Sequence, residues 1–215
     1  MRFYLRLLLS LCCCSVTFPA LSTPSWWQDT LSAMPYSNLK ERIEKSGSWY
    51  GCEVQLRDNS TFINAFCLDD FSYYQQHLYG EVILRRESAQ FSFLTEYEWQ
   101  RLNDLLLNLR KDGLVLRRVT IGKEQYDVVE ALEKKSSELV DKEVILLMNR
   151  YPQETIRSLL WVKPDEFLTP SPSLNVHLRS DGEIIEVKVD SFLDSLWRDR
   201  KVAIADSSKK PSDFL

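Results

Sequence analysis

The sequence predicts an α+β fold: a single domain with a mainly antiparallel sheet, two or more packed helices and one disulfide-stapled hairpin. Three observations carry that expectation. Strand-like runs come in neighbouring pairs, amphipathic helical segments separate some of these pairs, and two cysteines fall in the two arms of one pair. Paired strands with few helices between them argue against a doubly wound parallel sheet.

The composition fits such a fold. Of 215 residues, 44% are hydrophobic and 27% charged, which excludes a wholly disordered, collagen-like or multi-span membrane chain. One domain with an ordinary core is expected at this length. The formal charge is −4, from 31 acidic and 27 basic residues. No general affinity for nucleic acid follows from that balance.

Residues 1–22 read as a signal peptide. Arg2 and Arg6 make a basic start, an apolar run extends from Leu7 to about Phe18, and Ala20-Leu21-Ser22 offers small residues for cleavage. The run is too short to span a bilayer, which takes about 20 residues. Three consecutive cysteines and no acid suit a removed leader better than a buried helix. Lipidation is the less favoured alternative, because neither Cys12 nor Cys14 follows the small residue usual before a lipidated Cys. The product is expected to be exported, with the bacterial periplasm favoured over the cell surface or secretion into the medium. No transmembrane helix remains once the leader is gone. The domain is expected over 23–205, with a flexible tail at 206–215.

Loss of the leader leaves Cys52 and Cys67. An even pair in an oxidising compartment predicts a disulfide. Residues 49–57 and 61–68 read as strands, with Asp58-Asn59-Ser60 as turn chemistry between them. Placing Cys52 opposite Cys67 sets Val54 against Ala65 and Leu56 against Ile63 on one face. No Cys-x-x-Cys spacing is present, so the pair reads as structural, not redox-active.

Residues 24–29 look like a short helical start, interrupted by Pro35. Ser37 caps a second helix to about Lys45, with Leu39 and Ile43 on one side and Gly47 as its stop. Residues 71–79 are aromatic and ambiguous between helix and strand. Residues 81–86 and 89–94 read as strands. The clearest helix begins at Thr95, in a capping box with Glu98. Its apolar stripe is Trp99, Leu102, Leu105, Leu106 and Leu109, and Gly113 ends it. A strand follows over 114–121. Asp127 caps a helix to about Val140, with Val128, Ala131, Leu132 and Leu139 inward. Residues 143–148 and 155–162 read as two strands joined around Tyr151-Pro152. A proline-rich connector covers 163–173. The last hairpin, 174–180 and 183–189, turns at Asp181-Gly182 and sets Leu178 opposite Ile185, Val176 opposite Val187 and Leu174 opposite Val189. Phe192, Leu193, Leu196 and Trp197 make a short amphipathic helix.

Candidate chemistry is sparse. Dinucleotide, P-loop, zinc-protease and serine-elbow motifs are absent, so no cofactor and no metal are expected. The histidines are His77 and His177. His177 reads as an exposed cross-strand neighbour of Glu186. His77 stands among Tyr73, Tyr74 and Tyr79, with Gln75 and Gln76, a composition suited to a partner surface or to a half-buried element. Asp69-Asp70 lacks the acidic spacing of a calcium loop and reads as a solvated turn. Arg85-Arg86 and Arg117-Arg118 read as solvent-facing or ion-paired. Asn59-Ser60-Thr61 fits a glycosylation sequon, relevant only in a eukaryote. Trp26-Trp27 is unusual, because adjacent tryptophans do not easily share one core. The pair suits a partner groove or a membrane interface.

The expected function is a non-enzymatic exported binding or accessory protein of an envelope assembly, secretion or sensory complex. Its partner would be an envelope protein, with Trp26, Trp27, Tyr73, Tyr74 and His77 as possible contacts and no catalytic residue. Two alternatives stand beside it. One is a small exported hydrolase using scattered acids with His77 or His177. The other is a carrier of an apolar ligand between sheet and helices. A polar cleft in which carboxylates converge on a histidine would mark the hydrolase, and an open apolar cavity would mark the carrier.

Overall fold

Alternation of apolar and polar residues builds one sheet, seen in a computed structural model that describes residues 36–55, 61–85 and 88–192. Among these residues nine strands are present. They are β1 (Tyr50–Gln55), β2 (Thr61–Tyr73), β3 (Gln76–Leu84), β4 (Ser88–Glu96), β5 (Val115–Ile121), β6 (Glu124–Asp127), β7 (Arg157–Val162), β8 (Leu174–Ser180) and β9 (Ile184–Phe192). Their order across the sheet is β1-β2-β3-β4-β9-β8-β7-β5-β6, and every neighbouring pair is antiparallel. The helices are α1 (Tyr36–Lys45), α2 (Trp99–Lys111), α3 (Val128–Leu132) and α4 (Ser137–Arg150), with a 3₁₀ turn at Pro164–Glu166. No described helix is long and apolar enough to cross a membrane. The expected α+β class with an antiparallel sheet is what the chain forms.

The helices cover one face of the sheet. Leu39 and Ile43 of α1, Leu102, Leu105 and Leu109 of α2, and Val140, Val144, Leu147 and Met148 of α4 pack on it. They meet Val82, Phe91, Phe93, Val119, Leu159, Trp161, Val176, Leu178, Val187 and Val189 in one core. The strand register puts the alternate residues on the other face, which is largely polar. Glu81, Ser92, Lys188, His177 and Arg118 lie along one row there.

Several elements depart from the sequence expectation. Residues 143–148 are not a strand but lie inside α4. Val140, Val144, Leu147 and Met148 are buried at helical spacing, and the apolar run between them had masked that period. Asp127 does cap a helix, accepting from Glu130 N at 3.1 Å, but that helix ends at Leu132 and a new one starts at Ser137. Leu132 and Leu139 are exposed, not inward. The capping box at Thr95 does not form. Thr95 is still in β4, paired with Ile185, and its hydroxyl accepts from Arg101. The α2 cap is Glu98, without a side-chain hydrogen bond. Asp69 and Asp70 lie within β2 at a bulge, not in a turn.

Both predicted hairpin registers are displaced. Cys52 pairs with Ala65, while Cys67 pairs with Tyr50; a bulge separates Cys52 from Val54, which pairs with Phe62. In the last hairpin Val176 pairs with Val189 and Leu178 with Val187. The cause is a longer turn. Asp181 accepts from the backbone N–H groups of Glu183 and Ile184, so Ser180 and Ile185 close the ladder. Gly182, at φ +91°, sits where a Cβ would come within 2.7 Å of Glu154 Cα. Residues 1–35, 56–60, 86–87 and 193–215 lie outside the described residues, and with them Leu56, the Asp58-Asn59-Ser60 turn and Arg86. The expected leader, Trp26-Trp27, the helix expected from Phe192 to Trp197 and the expected tail at 206–215 therefore fall wholly or almost wholly outside them.

Candidate functional site

An apolar groove runs between α2 and α4. The two helices are antiparallel over the sheet, with Trp99 near Met148 and Asn149 at one end and Arg110 near Asp141 toward the other. The floor is Leu116, Leu159 and Trp161. Arg110 Nη2 donates to Asp141 Oδ1 at 3.0 Å, an exposed ion pair that bridges the helices. Two cavities share it. One of about 380 Å³ lies toward Trp99, and one of about 460 Å³ continues past Leu114 and Val128 to Pro164 and Phe167. Both walls are mainly apolar.

Large side chains stand exposed on the walls and rim. Trp99 keeps 42% of its surface, Leu107 53% and Ile145 59%. Trp99 belongs to the predicted stripe, but it is exposed and walls the groove instead of entering the core. Beneath, Trp161 is buried and its Nε1–H has no acceptor among the described residues. Leu107 and Ile145 are the site residues that sequence reading passed over. The available signal was their position beside, and not on, the buried helical stripes.

A second, polar cavity of about 400 Å³ opens on the opposite face. Arg118, Asp127, Leu160, Asn175 and His177 line it from four adjacent strands, and Pro170, Ser171 and Pro172 of the connector wall it. The connector is tied down. Arg117 Nη1 donates to Thr169 O at 2.6 Å, and the buried Glu166 carboxylate accepts from Ser173 N at 2.9 Å and Ser173 Oγ at 2.6 Å. His177 is half-buried and pairs with Lys188, not Glu186, a consequence of the displaced register. Burial is the first cause that pulls its pKa below 6.5; Lys188 and Arg118 add to this, while Asp190 and Glu186 oppose it. Asp127 is the carboxylate lining this cavity, and it already caps α3.

The aromatic cluster is drawn apart. Tyr73 is buried and donates to Asp112 Oδ2 at 2.5 Å; Tyr74, at φ 54°, donates to Asp112 Oδ1 at 2.6 Å. Together they fasten the β2–β3 turn to the end of α2. Burial raises the Asp112 pKa, against the two phenol hydrogen bonds that lower it. The same burial, with the Asp112 bond, pushes the Tyr74 phenol up to about 12. His77 stands exposed, its Nδ1 2.8 Å from Asp70 Oδ1. Cys52 and Cys67 form a disulfide with Cα atoms 5.9 Å apart. No group of three metal-ligating side chains occurs among the described residues. The chain matches no family model, and neither a curated protein nor a solved structure is significantly similar to it.

Proposed function

We propose that this chain is a non-enzymatic binding protein of an exported compartment, and that the α2–α4 groove receives apolar side chains of a protein partner. The observation that carries the reading is the open groove itself, with Trp99, Leu107 and Ile145 exposed around a floor of Leu159 and Trp161. Apolar side chains so grouped gain most from a partner that excludes water from them. A helix presenting residues at i, i+4 and i+7 would match a channel between two antiparallel helices. An enclosed apolar cavity would favour the ligand carrier. Here the space is open and crossed by the Arg110–Asp141 bridge, which favours a segment laid along it over an enclosed acyl chain.

The test uses a photo-crosslinking residue at Leu107, with exposed Tyr50 as the control position, in cells exporting the chain. A discrete protein adduct at Leu107, absent at Tyr50 and lost with Ile145→Lys, is the expected result. Native mass spectrometry of the purified chain distinguishes the carrier. A bound apolar small molecule displaced by Ile145→Lys would overturn the protein-partner reading.

A further inference from the structure

The polar cavity lies on the other face of the sheet from the groove and is independent of that reading. We propose that it is a binding site for a small polar ligand carrying an oxyanion, a phosphate or a carboxylate group. Four observations converge. The cavity holds about 400 Å³, enough for a compact metabolite-sized molecule. Arg117 and Arg118 outnumber the lining carboxylate of Asp127, and Asp127 spends one oxygen on the Glu130 N–H. The Arg118 guanidinium has no ion pair or hydrogen bond among the described residues, although Asp127 is its direct cross-strand neighbour. The fourth is rigidity. The connector that walls the cavity is held by Arg117 on Thr169 and by Glu166 on Ser173, so the site needs little ordering to bind.

Each lining group then has a role. Arg118 donates to the oxyanion through its planar fork, the geometry suited to carboxylate and phosphate. Asn175 and Ser171 supply neutral hydrogen bonds to the ligand body. An anion arriving beside His177 raises its pKa, because it offsets the burial and the charges of Lys188 and Arg118 that lower it, in addition to Asp190 and Glu186. Leu160 forms an apolar patch in the floor.

With two histidines in the chain, proton NMR reads the site directly. The whole chain is titrated with inorganic phosphate and, separately, with acetate, at constant ionic strength set by chloride. His177→Gln assigns the resonances, and exposed His77 is the internal control. The expected result is a saturable shift of the His177 ring protons and a rise in its titration midpoint, with His77 little changed. The tighter of the two anions identifies the group. Arg118→Gln should weaken binding about tenfold or more, as loss of a charge-assisted hydrogen bond does. Arg118→Lys should retain part of the affinity, and its unchanged His77 signal would report an intact fold. Equal, non-saturating shifts at His77 and His177, or Arg118→Gln binding as well as the parent, would overturn the proposal.

Discussion

Cys52 is bonded to Cys67 but lies opposite Ala65. The disulfide is therefore diagonal across the β1–β2 ladder, with Tyr50 the direct neighbour of Cys67. The bridge spans a sequence separation of 15, and its Cα–Cα distance of 5.9 Å is within the usual range. Together with Ala65 and Ile83 it forms a small apolar cluster on the polar face.

Non-reducing peptide mapping of the native protein should recover the Cys52 and Cys67 peptides linked. Cys52→Ala with Cys67→Ala should cost about 3 kcal/mol by the chain-entropy estimate. Two free thiols in the native protein would contradict the bond.

Substitutions on α2 should divide by face. Leu105 is wholly buried, so Leu105→Ala should lower stability by about 2–5 kcal/mol in denaturant melts. Leu107 points outward, so Leu107→Ala should stay within about 0.5 kcal/mol. Comparable losses at both positions would mean that the groove wall is part of the core.

Buried Arg157 has no carboxylate partner among the described residues. Its Nη1 donates to Gln153 O and Thr155 O, and its Nη2 to Tyr151 O and Pro152 O, at 2.8 to 3.0 Å. Those four carbonyls shape the turn between α4 and β7. Arg157→Met should cost more than about 2 kcal/mol, because it removes four hydrogen bonds from the buried guanidinium to the turn. Urea unfolding measures it; a loss below about 0.5 kcal/mol would show that the turn holds its shape unaided.

Stability should fall as pH drops below 6.5, partly through His177. Its native pKa is lowered, so the unfolded chain binds its proton first. The contribution is full above 6.5 and is lost as pH falls toward the lowered native value. Glu81 and Asp112 are raised and act in the opposite direction at more acidic pH. His177→Gln should therefore flatten the upper part of the acid limb. An unchanged slope between pH 7 and 5.5 would exclude His177 as the source.

Much of the fold was legible because its elements carry local periodicity. The Leu102, Leu105 and Leu109 stripe, the Leu39 and Ile43 pair and the alternation of β8 and β9 each state which side is buried. Residues 143–148 misled because a continuous apolar run fits a buried strand and a buried helix alike. The last hairpin erred by two residues, which leaves its side chains on their expected face, whereas the bulge after Cys52 adds an odd residue to the first. Alternation fixes parity and cannot count turn residues. The candidate groove was not legible, since Leu107 and Ile145 look like ordinary apolar residues beside a core stripe.

The sequence by itself determined the α+β class, Cys52 and Cys67 as partners, and the buried faces of α1, α2, β8 and β9. These depend on contacts and patterns within a dozen or so residues. Only the tertiary structure decided the strand order, the spacing of α2 from α4, and the meeting of Arg118, Asn175 and His177 in one cavity. Arg118 and His177 are far apart in the chain and share one row because both pair with Leu160 of β7, which joins β5 to β8. Local alternation states which face of each strand is buried but not which strands pair, so this order is a property of the assembled sheet.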